Sequence, residues 1–254
     1  YGGRALGPLA ERDNYADADG GIFVGISYGR PHPNRPITLR HVLLRDNANR
    51  GLDAPADAAI RAEDLVFGRN GGISARIDIA VAEQLGTSPT ETVELEGPLR
   101  RGSVLLAKQI KPYRIRNVLM IGTPGPATLE IAEGATVQFG EHGRLDVGAL
   151  GQGKLTATGV TFTSAAANPS PGDWEGLVVL PGSSLHMDRC RVEFAGYSRL
   201  GVIRVNTDDT RMHIVHTAFQ HNAAAALLHH SSCRRWLDGA LGNTSIGQPL
   251  CETR

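Results

Sequence analysis

The 254-residue chain has little of what several common protein classes need. Its 26 basic and 26 acidic side chains cancel, which argues against a nucleic-acid partner held by bulk charge. No run of residues approaches the roughly 18–20 apolar positions of a membrane helix, so no direct membrane span is expected. Neither His-Glu-x-x-His nor a complete phosphate-loop sequence occurs, which removes signatures of metalloproteases and of nucleotide-binding enzymes.

Aromatic residues are also scarce, at 5% of the chain, whereas glycine is abundant at 31 residues. This balance is typical of a fold with a narrow aliphatic core and many tight corners. Glycine suits such corners because it adopts backbone conformations that other residues avoid.

The most informative pattern is an ungapped repeat, apolar-x-apolar-x-x-apolar-x-apolar. It occurs at residues 37–44, 60–67, 155–162, 185–192 and 212–219. Two period-2 pairs around a two-residue corner describe two short strands that meet at a bend, which a helix cannot produce. Adjacent repeats begin 23, 30 and 27 residues apart (37 to 60, 155 to 185, 185 to 212), a spacing that indicates a stacked solenoid. The pattern therefore predicts a β-helix with parallel strands.

The same pattern predicts the core. Inward positions of successive repeats should stack in columns, one of which contains Ile37, Ile60, Leu155, Leu185 and Met212. We expect the following residues to be buried: Leu39, Val42, Phe162, Val192 and Phe219.

Three repeats end in a tail with asparagine at the same place, Asn47, Asn70 and Asn222. Asparagine tolerates left-handed backbone conformations and bonds backbone groups at tight corners. We therefore predict that these asparagines form a ladder of turns.

Part of the chain resembles a known family. The likeness is carried by Leu-Glu-Ile-Ala-Glu-Gly-Ala-Thr-Val-Gln-Phe at 129–139, Gly-Arg-Leu-Asp-Val at 143–147 and Pro-Gly-Asp-Trp-Glu-Gly-Leu at 171–177. These segments resemble the right-handed parallel β-helix repeat proteins of bacterial envelopes and secretions, in the pectate-lyase-like solenoid superfamily. The likeness is close over about residues 113–222 and looser over about residues 20–80. It implies an all-β, right-handed parallel β-helix, to which we add an irregular N-terminal segment and a C-terminal cap.

The resemblance also implies a role for Trp174. The Gly-Asp-Trp-Glu-Gly phrase recurs in this group as a structural corner, with the indole covering the core edge. An exposed ring that stacks on sugars is the alternative.

We interpret residues 1–254 as a single β-helix body, because a solenoid grows in one dimension. Residues 82–112 contain proline and mixed charges without the repeat, so we place a possible boundary between two helical sections there. The chain begins with Tyr1, and we interpret it as a piece of a longer exported protein. If it is exported, Cys233 and Cys251 could form a disulfide, whereas Cys190 at an inward position is expected to be a buried thiol.

The outward positions of the repeat form a candidate ligand-binding strip. Successive coils would place His186 over His213 and Arg189 over His216. The predicted site contains His186, Asp188, Arg189, Arg191, Glu193, His213 and His216. These groups could supply acid, base and positive charge to a glycan, although each acid can also neutralise a neighbouring arginine. The alternative is a strip without function, because exposed strand positions are polar in any half-buried sheet.

No metal or cofactor is expected. Asp17 and Asp19 precede Gly20 as in a calcium loop, but the terminal glutamate of such a loop is missing. His229 and His230 precede Cys233, but no second pair of ligands stands at zinc-finger spacing.

Taken together, these patterns predict a non-catalytic β-helix scaffold, secreted or at the cell surface. Its elongated face would bind a carbohydrate or another envelope protein. The alternative is a polysaccharide lyase or glycoside hydrolase that acts on an extended glycan along the outer strand face. Clustered carboxylates beside an arginine or lysine would distinguish that alternative, whereas the aligned face is richer in histidine and arginine. The oligomeric state stays open.

Overall fold

The structure is a computed structural model that describes residues 20–24, 37–55, 60–149, 151–197, 201–205, 211–229 and 241–253. The chain divides into two compact units. Unit 1 contains the described residues up to Gly97 and the segment Gln109–Tyr113. Unit 2 contains Pro98–Lys108 and the described residues from Arg114 onward.

Unit 1 is a parallel β-solenoid. Its elements are β1 (Gly20–Phe23), β2 (Ile37–Arg40), β3 (Leu43–Arg45), β4 (Arg50–Ala54), β5 (Ile60–Glu63), β6 (Val66–Gly68), β7 (Ile73–Asp78), a 3-10 helix (Ile79–Leu85) and β8 (Thr92–Glu96). Strands β2, β3 and β4 of one coil pair in parallel with β5, β6 and β7 of the next. The third of these sheets has the order β1-β4-β7-β8. The 3-10 helix begins after Asp78, whose carboxylate accepts a hydrogen bond from the Ala80 N–H at 2.8 Å.

Unit 2 has the same plan, with three parallel sheets. The chain enters it through β9 (Pro98–Leu99) and β10 (Gly102–Leu106), and re-enters it within β11 (Tyr113–Ile115). The remaining strands are β12 (Val118–Ile121), β13 (Ala127–Ile131), β14 (Thr136–Phe139), β15 (Arg144–Val147), β16 (Gly153–Thr158), β17 (Thr161–Ser164), β18 (Gly176–Val179), β19 (Ser184–Asp188), β20 (Arg191–Glu193), β21 (Ile203–Val205), β22 (Arg211–Val215), β23 (Ala218–Gln220), β24 (Leu227–His229), β25 (Thr244–Ser245) and β26 (Cys251–Thr253). Sheet I has the order β10-β13-β16-β19-β22. Within unit 2, sheet II contains β14-β17-β20-β23-β25, and sheet III has the order β9-β12-β15-β18-β21-β24-β26.

The predicted register is confirmed in both units. Residues at equivalent positions of the repeat are aligned strand partners, namely Ile37/Ile60, Leu155/Leu185/Met212 and Phe162/Val192/Phe219. The predicted fold class is therefore confirmed as a nearly all-β chain of parallel coils, a β-helix.

Most of the predicted core is buried, but two residues of the first described repeat differ, and Met212 of the last repeat is only half-buried. Leu39, Phe162, Val192 and Phe219 are buried. The prediction for Val42 is wrong, because Val42 is half-buried. Ile37, placed in an inward column, has 51% of its surface exposed. Strand β2 pairs with β5 alone among the described strands, so this end of the column has no described strand on its other side.

The bend inside the repeat is made by one left-handed residue. The fifth position of each of the five repeats has a φ between 50° and 60°, and these residues are His41, Asp64, Gly159, Arg189 and His216. One residue in this conformation turns the chain from the first strand of the repeat to the second without ending the apolar alternation.

The asparagine ladder exists, but its geometry differs from the prediction. The left-handed residues are those before the asparagines, with φ of 58° at Asp46, 49° at Arg69 and 55° at His221. The asparagine side chains point inward instead and are buried. Asn70 Nδ2, for example, donates to the Leu44 carbonyl of the preceding coil at 3.1 Å. The asparagines satisfy backbone groups that a buried corner would leave unpaired.

Trp174 has the structural role that the resemblance implied. Its ring is fully buried and stacks on Phe139, with centroids 4.0 Å apart and an interplanar angle of 4°. The indole N–H donates to the Glu193 carbonyl at 2.8 Å. The ring therefore fills the core at the corner between two coils.

Residues 82–112, which lack the repeat, nevertheless contain β8, β9 and β10. Val93, Leu95 and Val104 are buried there, so short alternating strands continue without the eight-residue pattern. The single-body interpretation of residues 1–254 stays a prediction.

Several expectations fall on residues outside the described ranges, namely the irregular segment before Gly20 and the cap from about Cys233. Cys251 is disulfide-bonded, and Cys190 is a buried free thiol as predicted. Because Cys233 lies outside the described residues, its pairing with Cys251 stays a prediction. Within the described ranges no helix is long and apolar enough to cross a membrane.

Candidate functional site

The candidate site is the outward surface of sheet I in unit 2, which we call the sheet I face. Alternation along the strands turns Leu155, Leu185 and Ile214 into the core and the side chains between them outward. Because the strands pair in register, the outward side chains stack in columns. The columns are Ser103/Thr128/Lys154/Ser184/Arg211, Leu105/Glu130/Thr156/His186/His213 and Thr158/Asp188/Val215.

The seven predicted site residues do not share one face. His186, Asp188 and His213 lie on the sheet I face, and Arg189 and His216 form its left-handed corners. Arg191 and Glu193 lie past that corner, on β20 of sheet II. The repeat pattern predicted one continuous strip for these residues. The bend at the fifth position of the repeat instead divides them between two surfaces.

The two histidines of the site meet as predicted. His186 and His213 are register partners, and their rings stack with centroids 5.0 Å apart and an interplanar angle of 14°. They form a flat polar pair on adjacent strands of the sheet I face.

The predicted arginines are neutralised. Arg189 Nη1 donates to Asp188 Oδ2 at 2.7 Å, and its Nη2 lies 3.6 Å from Glu133 Oε1. Arg191 lies 3.8 Å from the Glu193 carboxylate. These paired guanidinium groups offer little free positive charge to a ligand.

Asp188 is the centre of this corner. Its Oδ1 also lies 3.1 Å from His216 Nδ1. The hydrogen bond with His216 lowers the pKa of Asp188 below its ordinary value of 3.8, and the positive charge of Arg189 acts in the same direction. Asp188 therefore stays ionised and committed to its neighbours.

Sequence reasoning missed two cations in the first outward column. Lys154 and Arg211 flank Ser184 on adjacent strands, and all three line a cavity of about 460 Å³. Lys154 and Arg211 are exposed, and neither forms an ion pair with a described residue. The signal was available in the sequence, because each residue stands immediately before the first apolar position of its repeat.

The floor of this cavity is fixed by hydrogen bonds. The buried Ser183 Oγ accepts from the Gly153 N–H at 3.2 Å, and the Ser183 carbonyl accepts from the Arg211 N–H at 3.0 Å. Gly153 is required here because a Cβ would lie 2.7 Å from the Ile121 carbonyl oxygen. The backbone below Lys154 and Arg211 is therefore held tightly.

Sheet III carries a separate ion network on its outward surface. Arg144 Nε and Nη2 donate to both oxygens of Asp146 at 2.6 and 3.0 Å, and Arg144 Nη1 donates to Glu175 at 3.0 Å. Arg204 donates to the same Glu175 oxygen at 2.7 Å. Burial raises the pKa of Glu175, but the hydrogen bonds from Arg204 and Arg144 outweigh it and bring the pKa below its ordinary value. Two cations and two anions satisfy one another, so this network ties coils together rather than offering charge to a ligand.

Unit 1 has a comparable network. The fully buried Asp53 accepts from Arg76 Nε at 2.7 Å and Nη2 at 2.9 Å, and Arg50 lies 3.7 Å away. Arg50 also lies 3.5 Å from Glu94. Asp53, Arg76 and Glu94 are aligned partners on three strands, so opposite charges alternate across the sheet and stabilise its register.

A second cavity, of about 390 Å³, lies beside the exposed Tyr197, whose ring meets His142 edge-on at 3.9 Å. Its carboxylates are Glu141 and Asp173. Asp173 accepts from the Ser164 hydroxyl at 2.6 Å and from the Ser170 N–H at 3.0 Å. That carboxylate is therefore committed to holding a turn.

In the part of the chain that the structure describes, no group of three His, Cys, Asp or Glu side chains could hold a metal ion. Asp17, Asp19, His230 and Cys233 lie outside that part. Comparisons with protein families, with curated proteins and with solved structures find no match to this chain.

Proposed function

We propose that the chain is a non-catalytic β-helix scaffold, secreted or at the cell surface, whose sheet I face binds a polysaccharide. The observation that carries the proposal is the unbroken register of five strands, which stacks hydroxyl, imidazole and cationic side chains in columns. At about 4.8 Å per strand, the columns extend over about 19 Å. An extended glycan lying across the strands would meet a polar side chain of the first column on each coil.

Rigidity supports this proposal. The side chains of the sheet I face stand on paired strands, so little conformational entropy is lost when a ligand binds. Threonine, serine and histidine donate and accept hydrogen bonds, which suits the hydroxyl groups of a sugar. We include in the proposal that the chain belongs with the bacterial envelope and secreted β-helix proteins that its sequence resembles.

The alternative, a polysaccharide lyase or glycoside hydrolase, has less support. A glycosidase uses two carboxyl groups on either side of the scissile bond. On the described sheet I face the carboxylates are Glu130 and Asp188, and Asp188 is engaged by Arg189 and His216. Binding without cleavage therefore suits these residues better.

The test uses a steric block and a matched control. Thr156 and Thr161 are both half-buried, outward threonines, the first in the centre of the sheet I face and the second on β17 of sheet II. We would measure binding of the native chain, Thr156→Tyr and Thr161→Tyr to a panel of acidic and neutral polysaccharides. We expect Thr156→Tyr alone to weaken binding, by about tenfold or more, because the ring would displace a glycan from the strands.

Three outcomes would contradict the proposal. Binding to no polysaccharide would remove it, and equal loss in both variants would place any binding elsewhere. Shortening of a polysaccharide with new unsaturated ends would establish the lyase alternative instead.

A further inference from the structure

The cavity at the edge of the sheet I face is positively charged, because the lysine and the arginine of the sheet I strands both line it. It is lined by Lys154 and Arg211 on either side of Ser184, with Thr128 and Gln152 beside them. We propose that this cavity is the subsite for the anionic group of an acidic polysaccharide, a carboxylate or a sulfate ester bound by Lys154, Ser184 and Arg211. This inference rests on the proposed function, whose substrate class it names.

The positions of the three side chains suit one small anion. Lys154, Ser184 and Arg211 are consecutive register partners on β16, β19 and β22, so the two cations stand two strand spacings, about 9.6 Å, apart. Lysine and arginine side chains are long enough to converge above the serine between them. A lysine supplies a compact charge and an arginine a planar fork, and both bind anionic oxygen atoms by charge-assisted hydrogen bonds.

Charge balance separates this cavity from every other arginine cluster described above. Arg189, Arg191, Arg144 and Arg76 each have a carboxylate partner. Lys154 and Arg211 have none among the described residues. Two neighbouring like charges that have no carboxylate partner within the described part of the chain favour the binding of an anion from outside.

The support below the cations is already in place. Hydrogen bonds of Ser183 fix the backbone at Gly153 and at Arg211, and the Gln152 carbonyl accepts from the Ala127 N–H at 3.0 Å. The spacing between the backbone positions of Lys154 and Arg211 is therefore set before a ligand arrives. The stacked His186 and His213 rings lie two residues farther along the same strands, where they could contact the sugar that carries the anion.

The experiment compares two variants of equal charge loss in the 254-residue chain. Lys154→Gln with Arg211→Gln removes the cavity cations, and Lys111→Gln with Arg116→Gln removes one exposed lysine and one exposed arginine that are not residues of a sheet I strand. Polygalacturonate provides carboxylates, dextran sulfate provides sulfate esters, and dextran is the neutral polymer. Sodium sulfate and galacturonate are titrated separately, with the amide resonances of Gly153, Ser184 and Arg211 as the readout.

We expect one or both acidic polymers to bind more tightly than dextran at low salt. The cavity variant should weaken that binding by about tenfold or more, and the control by less than about twofold. The matching small anion should shift the three amides in the native chain and not in the cavity variant. Whether polygalacturonate or dextran sulfate responds identifies the anion.

The remaining outcomes separate this inference from the proposed function. Equal weakening by the two variants, or polymer binding that neither variant changes, overturns the subsite and leaves polysaccharide binding standing. Amide shifts by sulfate or galacturonate without binding of any polymer keep the subsite and overturn the proposed function. If no polymer binds and no small anion shifts the amides, both the subsite and the proposed function are overturned.

Discussion

Asn222 Nδ2 donates a hydrogen bond to the Val192 carbonyl at 3.0 Å, which joins two successive coils inside their shared corner. The same side chain accepts from the Ala195 N–H at 2.8 Å through Oδ1. Asn243 makes a similar bridge at a different corner, the bend between β22 and β23, where it accepts from the Thr217 N–H at 2.9 Å and donates to the Ile214 carbonyl at 2.8 Å. Buried asparagines therefore hold the corners of unit 2 from within.

The first prediction concerns this bridge. Replacing Asn222 by alanine leaves a buried N–H and a buried carbonyl unpaired, so the free energy of unfolding should fall by about 2–4 kcal/mol. Denaturant unfolding followed by circular dichroism measures the change. Gln220→Ala, an outward change two residues away, should cost less than about 0.5 kcal/mol. Similar losses for both variants would contradict a structural role specific to Asn222.

The second prediction concerns the core. Phe162 is fully buried in the column that also contains Val192 and Phe219. Phe162→Ala should lower the free energy of unfolding by about 3–5 kcal/mol, because a narrow core has little freedom to collapse around the lost ring. Thr163→Ala, on the outward side of the same strand, is the control. A loss below about 1 kcal/mol for Phe162→Ala would place that ring outside the core.

The third prediction concerns the cysteines. Burial raises the pKa of the Cys190 thiol to about 11, so almost no thiolate exists at pH 8. Iodoacetamide should leave the native chain unlabelled. In denaturant it should label one cysteine without reductant and three after reduction, because Cys251 is disulfide-bonded. Peptide mapping would identify the partner, and a partner other than Cys233 would contradict the sequence prediction. Rapid labelling of the native chain would contradict the burial of Cys190.

The fourth prediction follows from Asp188. Its pKa is lower in the folded chain than its ordinary value of 3.8, so the unfolded chain binds a proton more readily. The stability that Asp188 contributes is therefore present above the ordinary value and is lost as the pH falls through the lowered one. The difference in stability between the native chain and Asp188→Asn should shrink as the pH falls below about 5 and should disappear under strongly acidic conditions. Glu133→Gln, which removes the longer contact to Arg189, is the control and should have a smaller effect. A difference that grows as the pH falls below about 5 would contradict a lowered pKa of Asp188.

The sequence predicted the architecture because the eight-residue repeat carries both the strand alternation and the corner. It placed Leu155 with Leu185 and His186 with His213 correctly, since a fixed register determines which residues are neighbours. The sequence predicted the wrong burial for Val42, because the exposure of a residue in the first coil depends on which residues cover the outer side of that coil. Alternation fixes which side a residue faces but not which contacts its side chain makes.

The same limit explains the candidate site. The pairing of Arg189 with Asp188 depends on a left-handed corner that the repeat leaves unspecified, and so does the separation of Arg191 from the sheet I face. Lys154 and Arg211 were missed because they precede the repeat by one residue and look like ordinary polar strand positions. The absence of an ion pair with a described residue, visible in three dimensions, distinguishes them from Arg144, Arg189 and Arg191.

Binding of a polysaccharide to the sheet I face can be mapped residue by residue. Amide resonances would be followed while oligosaccharides of the tightest-binding polymer are titrated into the native chain. We expect shifts concentrated on β13, β16, β19 and β22, including Thr156, His186 and His213, with Thr161 and Arg191 on sheet II unchanged. Shifts centred on sheet II or sheet III, or no shifts with any oligosaccharide, would show that the sheet I face is not the binding surface.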